Sequence, residues 1–466
     1  MVFRDAGTRI EFEFDWMSAH GVEGPELAAT WASLRIHVGE STITRVLDER
    51  SRTIRDMVFV SLYPLAEWLV SNWWFLLYEF ENPDKENDRE FDRRHSLRFG
   101  REGYGYPDLQ IVSSGHLVRL VWKRDDPNWF RHASLEQGWT WIDRASWHKS
   151  CANLIDSVIA RLHEFHIHNT LLEQDWSAIQ SADKEETEFC KTAGGLGWDP
   201  YALNDDALAS VARLGEVLTG DALEEAAAVF SAKNLIADIA DFRKAVGRAR
   251  RNSLGLKRIV TEVLHNGFVS ETRSDPDAEL TWYADAGIQV PPNPWKEGYA
   301  LARSLRQSLE LGNDPLPTWD TLARALGEPP EQVEKATRPT SLGNLHMLEG
   351  VISRVDDGKF TFAFSAKRAS SRRFLFCRAL ADVRVASEPS SVLTRARSWR
   401  QQRGRAFAAE FLVPAHAIRN RISSHVILAD DIDLLAREFG VSWLVIRHQV
   451  DNHDIARIWS EARSHW

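Results

Sequence analysis

Arginine side chains are concentrated in one stretch of this 466-residue sequence. Between Thr361 and Arg421 there are 13 basic and three acidic residues, whereas the whole chain has a formal charge of -10. The planar guanidinium group suits bidentate contacts to phosphate or carboxylate, so the stretch predicts either an anion-binding surface or internal ion pairs. The candidate contact residues are Arg372, Arg373, Arg378, Arg395, Arg397, Arg400, Arg403 and Arg405.

Three motifs in and after this stretch resemble those of a peptidase family. RRFLFCRALAD (372–382), RAFAAEFLVP (405–414) and LAREFGVS (435–442) are similar to the R-R-F-x-x-A-H-E-x-x-H, F-A-A-x-L-L-x-P and L-A-x-x-F-x-V-S patterns of the ImmA/IrrE zinc metallopeptidases. The resemblance covers roughly residues 296–455. It implies a zincin-like α+β domain and a role in stress responses or mobile-element control.

The resemblance also indicates where the family would bind zinc. Two histidines at i and i+4 of a helix hold the metal, and a glutamate beside the first polarises its water. The aligned positions here carry Arg378, Ala379 and Asp382, and the stretch that would supply a third ligand reads QQRGR (401–405). We therefore predict that zinc is lost as a cofactor and that the domain is catalytically inactive. An active site with unusual ligands would have to recruit other histidines, of which the candidates are His346, His416, His425, His448 and His453.

Other motifs for chemistry are weaker. His163 and His166 are i, i+3 neighbours at the end of a predicted helix, where they could bridge a metal or lie on the surface as ordinary polar residues. GREGYGYPD (100–108) is glycine-rich but lacks the Gly-Lys-Ser/Thr of a phosphate loop. The sequence has no Gly-x-Ser-x-Gly nucleophile elbow.

Two segments have the residue offsets of a helix-turn-helix, with a small residue, a turn glycine and a packing residue at 0, +4 and +10. A DNA-binding role is therefore an alternative, although the same packing occurs in proteins that bind no DNA. The residues concerned are Ala323, Gly327, Val333, Ala436, Gly440 and Ile446.

The first 150 residues are rich in large aromatic side chains. Ile10–Trp16 alternates apolar and acidic residues, which predicts a strand with one aromatic face. Residues 62–80 predict a helix anchored in the core by Trp68, Trp73, Trp74 and Leu77. Residues 109–122 predict a hairpin around Ser-Ser-Gly, and 346–366 a second hairpin around Asp-Asp-Gly.

These patterns predict an α+β multidomain protein. We expect a Trp-rich α/β domain at 1–150, a helical domain at 151–275, a proline-rich linker at 276–295, and the ImmA/IrrE-like degenerate domain at 296–466. At 44% hydrophobic and 27% charged residues, the composition is that of a globular protein.

Composition also bears on the compartment. The three cysteines form no CxxC pair, the N-terminus lacks an apolar signal-peptide core, and the most apolar stretch, 65–80, contains two glutamates. We expect a cytoplasmic protein that does not interact with membranes.

The preferred functional prediction is an inactive ImmA/IrrE-like protein that regulates a stress, phage or mobile-element response by binding through its arginines. Its partner would be a repressor-like or toxin-like protein, or nucleic acid. The alternatives are an active metallo-endopeptidase that cleaves a repressor and a DNA-binding regulator.

Overall fold

A computed structural model describes most of the chain as a mixed α+β protein, as the sequence predicts. The described residues are 9–48, 51–81, 88–101, 103–124, 132–215, 225, 229–230, 235–249, 253–256, 293–342, 345, 347–356, 359–385 and 390–459. The chain divides into two compact units, Met1–Gly215 and Glu216–Trp466.

The first unit contains three antiparallel sheets and eight α-helices among its described residues. Its strands are β1 Ile10–Trp16, β2 Trp31–Val38, β3 Ser41–Thr42, β4 Val46–Asp48, β5 Thr53–Arg55, β6 Val58–Ser61, β7 Asp108–Ser113, β8 Leu117–Lys123, β9 His132–Ser134 and β10 Gly138–Asp143. Its helices are α1 Pro25–Ala29, α2 Tyr63–Ser71, α3 Trp73–Tyr78, α4 Arg89–His95, α5 Arg144–Glu164, α6 Leu171–Ser181, α7 Lys184–Gly195 and α8 Asp205–Gly215.

The predicted aromatic core and first hairpin are confirmed. Trp68, Trp73, Trp74 and Leu77 are buried together, but the predicted single helix is two helices that separate at Asn72, whose Nδ2 donates to the Trp68 carbonyl at 2.8 Å. β7 and β8 form the antiparallel pair expected around Ser-Ser-Gly.

The domain boundary expected at residue 151 is replaced by one at Gly215. Helix α5 begins earlier, at Arg144, where the Asp143 side chain accepts a hydrogen bond from the Ser146 amide at 2.9 Å. Its side chains Trp147 and Cys151 are part of the same buried cluster as the sheets of the first unit. The helix therefore completes the aromatic core instead of starting a new one. The expected linker, 276–295, lies outside the described residues except for its last three positions.

The second unit is built on a four-stranded antiparallel sheet. The strands of this unit are β11 Ser253–Gly255, β12 Leu348–Asp356, β13 Lys359–Phe364, β14 Ser390–Thr394, β15 Val426–Leu428 and β16 Arg457–Trp459. Its helices are α9 Leu235–Ala249, α10 Pro294–Ser308, α11 Trp319–Leu326, α12 Pro330–Ala336, α13 Ala369–Val385, α14 Trp399–Leu412, α15 Ala415–Arg419, α16 Ala429–Glu438 and α17 Trp443–Asn452.

The sheet order is β11-β13-β12-β14, and β15 pairs separately with β16 in parallel. The β12–β13 pair confirms the second predicted hairpin. Phe362, Phe376 and Phe407, from β13, α13 and α14, belong to one buried cluster. The sheet and the two motif helices therefore share a core.

Both predicted helix-turn-helix-like pairs are present as helices α11–α12 and α16–α17. Gly327 and Gly440 adopt the left-handed conformation, with φ of 73° and 63°. A Cβ atom at Gly440 would also lie 2.3 Å from the Pro317 carbonyl oxygen. The turn therefore needs glycine for both backbone conformation and space.

Candidate functional site

The motif helices α13 and α14 pack against each other and against α10. Ser398 caps α14, because its Oγ accepts a hydrogen bond from the Gln401 amide at 3.2 Å. The first turns of α14 therefore carry Arg400, Gln401 and Arg403 towards α13 and β14.

Arg378 lies where the resemblance places the first zinc-binding histidine, and only 2% of its side chain is exposed. It donates to Gln401 Oε1 at 2.6 Å and to the Thr394 carbonyl at 2.9 Å, and forms an ion pair with Glu349 on β12. Its guanidinium therefore occupies the space between the two motif helices and the sheet.

Arg400 links α14 to Asp382, the residue that the resemblance aligns with the second histidine. Its Nη1 donates to Asp382 Oδ2 at 2.9 Å, and its Nη2 forms an ion pair with Glu225. Ser391 Oγ donates to the same Asp382 oxygen at 2.6 Å. Glu225 also accepts from Ser398 Oγ at 2.8 Å. Both carboxylates are therefore hydrogen-bonded from more than one side.

Arg403 is as deeply buried as Arg378, and it pairs with Glu297 on α10. Its Nη1 lies 3.2 Å from Glu297 Oε1, and its Nη2 lies 4.0 Å from Asp382 Oδ1. The close approach of α10 depends on Gly298, where a Cβ would come within 2.3 Å of the Arg403 carbonyl oxygen.

Arg405 completes the group on the sheet side. It donates to the carbonyls of Thr394 at 3.0 Å and Ala396 at 2.9 Å. Burial, together with the charge of Arg378, lowers its pKa to about 9, so it remains protonated at neutral pH. We call these side chains the arginine–carboxylate network, and its four cations balance its four anions. Its members are Arg378, Arg400, Arg403, Arg405, Glu225, Glu297, Glu349 and Asp382.

The donors at the aligned positions do not fit a catalytic zinc. A protonated guanidinium has no lone pair for a metal, and the lone carboxylate, Asp382, is already paired with Arg400. In the part of the chain that the structure describes, no group of three or more His, Cys, Asp or Glu residues is arranged to hold a metal ion.

The structure corrects the expectation that all eight candidate arginines form one contact surface. Arg373, Arg378 and Arg403 are buried, because each guanidinium has carbonyl or carboxylate partners inside the unit. Arg373, for example, donates to the Gly440 carbonyl in the α16–α17 turn. Arg400 is mostly buried by its ion pairs.

The remaining candidates are more accessible. Arg395 and Arg397 are exposed in the segment that joins β14 to α14. Arg405 lies directly beneath that segment and is partly exposed. Arg372 is also partly exposed, and its Nη1 donates to the Lys367 carbonyl at 2.6 Å.

The histidine candidates are dispersed. His163 Nε2 lies 3.0 Å from Glu173 Oε1, and its ring lies against His168 with centroids 4.7 Å apart. His166 has a left-handed φ of 58°. His453 lies 3.6 Å from Glu410, while His346 is outside the described residues.

Sequence reasoning missed Glu225, Glu297 and Glu349 as members of the site. They lie far along the chain from the motif helices, on separate segments. The available signal was the charge balance, because an arginine-rich stretch in an acidic chain predicts carboxylate partners elsewhere.

No known protein-family model, curated protein or solved structure matches this chain. Among the described helices, none combines the length and the apolar character needed to cross a membrane.

Proposed function

We propose that this chain is an ImmA/IrrE-like protein without metallopeptidase activity, and that it regulates a stress, phage or mobile-element response by binding a protein partner. The observation that carries the proposal is the arginine–carboxylate network between α13 and α14. A hydrolytic zinc needs lone-pair donors and an open position for water. A guanidinium group has no lone pair to offer a metal, and the carboxylates beside it are engaged by their arginine partners.

The contact surface that we propose is smaller than the whole arginine-rich stretch. Arg395 and Arg397 are exposed in one short segment, and Arg405 adds a third positive charge under it. Such a cluster favours an acidic partner, because arginine pairs readily with carboxylates at interfaces.

The helix pair α16–α17 supports a protein partner over DNA. In DNA-binding helix-turn-helix proteins, the first residues of the second helix contact base edges. Here these residues are Trp443 and Leu444, which are 50% and 45% exposed. The Arg447 guanidinium lies over the Trp443 ring, 6.0 Å from its centroid. Exposed aromatic and aliphatic side chains are typical of the hot spots of protein interfaces.

The test compares the unchanged chain with Arg395→Glu/Arg397→Glu. Its partners are the repressor-like and toxin-like proteins encoded in its genomic neighbourhood, and the parallel probe is a DNA duplex at about 50 to 200 mM salt. We expect one protein to bind and the double variant to bind it at least about tenfold more weakly. Arg324→Glu/Arg338→Glu, at two exposed arginines of the same unit, is the matched control.

Three outcomes would contradict the proposal. The first is equal binding by the 395/397 variant and the control. The second is salt-dependent binding to DNA alone, which would favour the DNA-binding alternative. The third is a purified chain with stoichiometric zinc that cleaves a peptide.

A further inference from the structure

A cavity of about 580 Å³ lies at the C-terminal end of α14, away from the arginine–carboxylate network. The two positions are separated by most of the helix, about 15 Å at 1.5 Å per residue. The cavity is formed by the end of α10 and the chain that follows it, together with the end of α14 and helix α15. Its charged lining residues are Arg303, Arg306, Glu310, Glu410 and Arg419, and the imidazole of His416 also lines it.

Arg306 forms a fixed positive wall of this cavity. It is 3% exposed and donates to the carbonyls of Phe411 at 2.6 Å and Gly312 at 3.0 Å, as well as to that of Asp314. These bonds attach the segment after α10 to the end of α14. Burial lowers the pKa of Arg306 to about 10, so the guanidinium stays charged at neutral pH.

Two further arginines lie at the rim. Arg303 is 57% exposed, and only its Nε is used in the hydrogen bond to Glu410 Oε1 at 2.8 Å. Arg419 is exposed and donates through Nη2 to the His453 carbonyl at 2.8 Å. Within the described residues, the other terminal N–H groups of both side chains make no hydrogen bond. His416 is exposed and lines the same cavity.

The acidic residues do not cancel this charge at the rim. Glu410 is buried and accepts from the Ala415 amide at 3.1 Å and from Gln449 Nε2 at 2.9 Å, in addition to Arg303. Glu410 therefore offsets part of the charge of Arg303. Glu310 is exposed to solvent, and the lining as a whole carries three arginines against two carboxylates.

We propose that this cavity is a binding site for a small organic phosphate. A phosphate dianion offers several acceptor oxygens to the free N–H groups of two arginines and an imidazole. The volume falls within the range of small-molecule sites and exceeds what a free phosphate fills. The amide side chains of Gln307 and Asn313 line the remaining space and can hydrogen-bond a polar body such as a sugar or a base.

The experiment measures binding of adenosine 5′-monophosphate to the full chain by calorimetry at low ionic strength, with adenosine and citrate as comparison probes. We expect the monophosphate to bind at least tenfold more tightly than adenosine or citrate. We expect Arg303→Gln/Arg419→Gln to weaken its binding at least tenfold. Arg324→Gln/Arg338→Gln, which changes two exposed arginines outside the cavity lining, should bind as the unchanged chain does.

A second variant tests the cavity without removing charge. Asn313 is exposed at the cavity, and Asn313→Trp should fill its mouth and also weaken binding at least tenfold. The proposal is overturned if the unchanged chain does not bind the monophosphate, if adenosine or citrate binds equally well, or if the cavity variants bind as the control does.

Discussion

The two ends of helix α14 use arginine differently. At the N-terminal end, Arg400 and Arg403 are buried against carboxylates from α10, α13 and Glu225. At the C-terminal end, the carboxylate Glu410 is the buried group, and the rim arginines Arg303 and Arg419 face a cavity. The first end is closed and balanced in charge, whereas the second is open and has excess positive charge.

The difference shows that arginine content alone does not define an anion-binding site. A guanidinium removed from water loses its hydration and must be paired inside the protein. Once paired, it has little capacity left for a ligand. An arginine at the edge of a cavity keeps free donors, and these donors can bind a phosphate.

The largest expected effect is at the closed end. Arg403→Ala leaves the buried carboxylate of Glu297 without its guanidinium partner, whereas Asp382 keeps Arg400 at 2.9 Å. Breaking a buried pair in this way costs about 3–5 kcal/mol in the free energy of unfolding. Arg303→Ala removes an exposed partner of Glu410, but Glu410 keeps its hydrogen bonds from the Ala415 amide and Gln449. We therefore expect a loss of only about 1 kcal/mol in the free energy of unfolding. Urea unfolding of both variants measures the difference, and equal losses would refute the comparison.

The same contrast decides where charge reversal can test partner binding. The sequence places Arg403 and Arg405 among the candidate contact residues, so reversing their charge is expected from the sequence to abolish partner binding. Because Arg403 is buried beside Glu297, a glutamate there would place two carboxylates together, and we expect unfolding instead. The exposed pair Arg395 and Arg397 is the appropriate place for charge reversal.

A smaller effect is expected at Gly298. The alanine Cβ would meet the Arg403 carbonyl oxygen at 2.3 Å and the Phe407 nitrogen at 2.8 Å, so α10 must move away from α14. We expect Gly298→Ala to lower the free energy of unfolding by about 1–3 kcal/mol. Gly247→Ala in α9 is the control, because a Cβ there meets nothing within 4 Å and should be neutral or slightly stabilising. Thermal melting of the two variants tests this prediction. Equal melting temperatures would show that α10 and α14 do not pack closely at Gly298.

The smallest expected effect is acid sensitivity near the open end. Burial lowers the pKa of His453 below its usual value, although Glu410 acts in the opposite direction. The unfolded chain therefore takes up a proton between the lowered pKa and about 6.5 that the folded chain resists. Stability should fall as pH decreases through this window, and less so in His453→Gln. Unfolding of both chains at pH 7 and at pH 5 measures the difference; an identical pH dependence would remove His453 as its source.

Much of the local structure could be predicted from the sequence. The alternation in Ile10–Trp16, the hairpin turns and the offsets around Gly327 and Gly440 are short-range patterns, and each was confirmed. Helix breaks and domain boundaries were harder to predict from the sequence. The separation at Asn72 and the attachment of α5 to the first core depend on contacts between distant segments.

The sequence by itself determined that Arg378, Ala379 and Asp382 stand where the resemblance would place the zinc motif, and that arginine dominates the stretch around them. Only the tertiary structure decided which of these arginines are internal. The reason is that the burial of a charge depends on its partner, and the carboxylates Glu225, Glu297 and Glu349 come from segments far away in the chain. The cavity at the other end of α14 likewise exists only once α10, α14 and α15 have packed together.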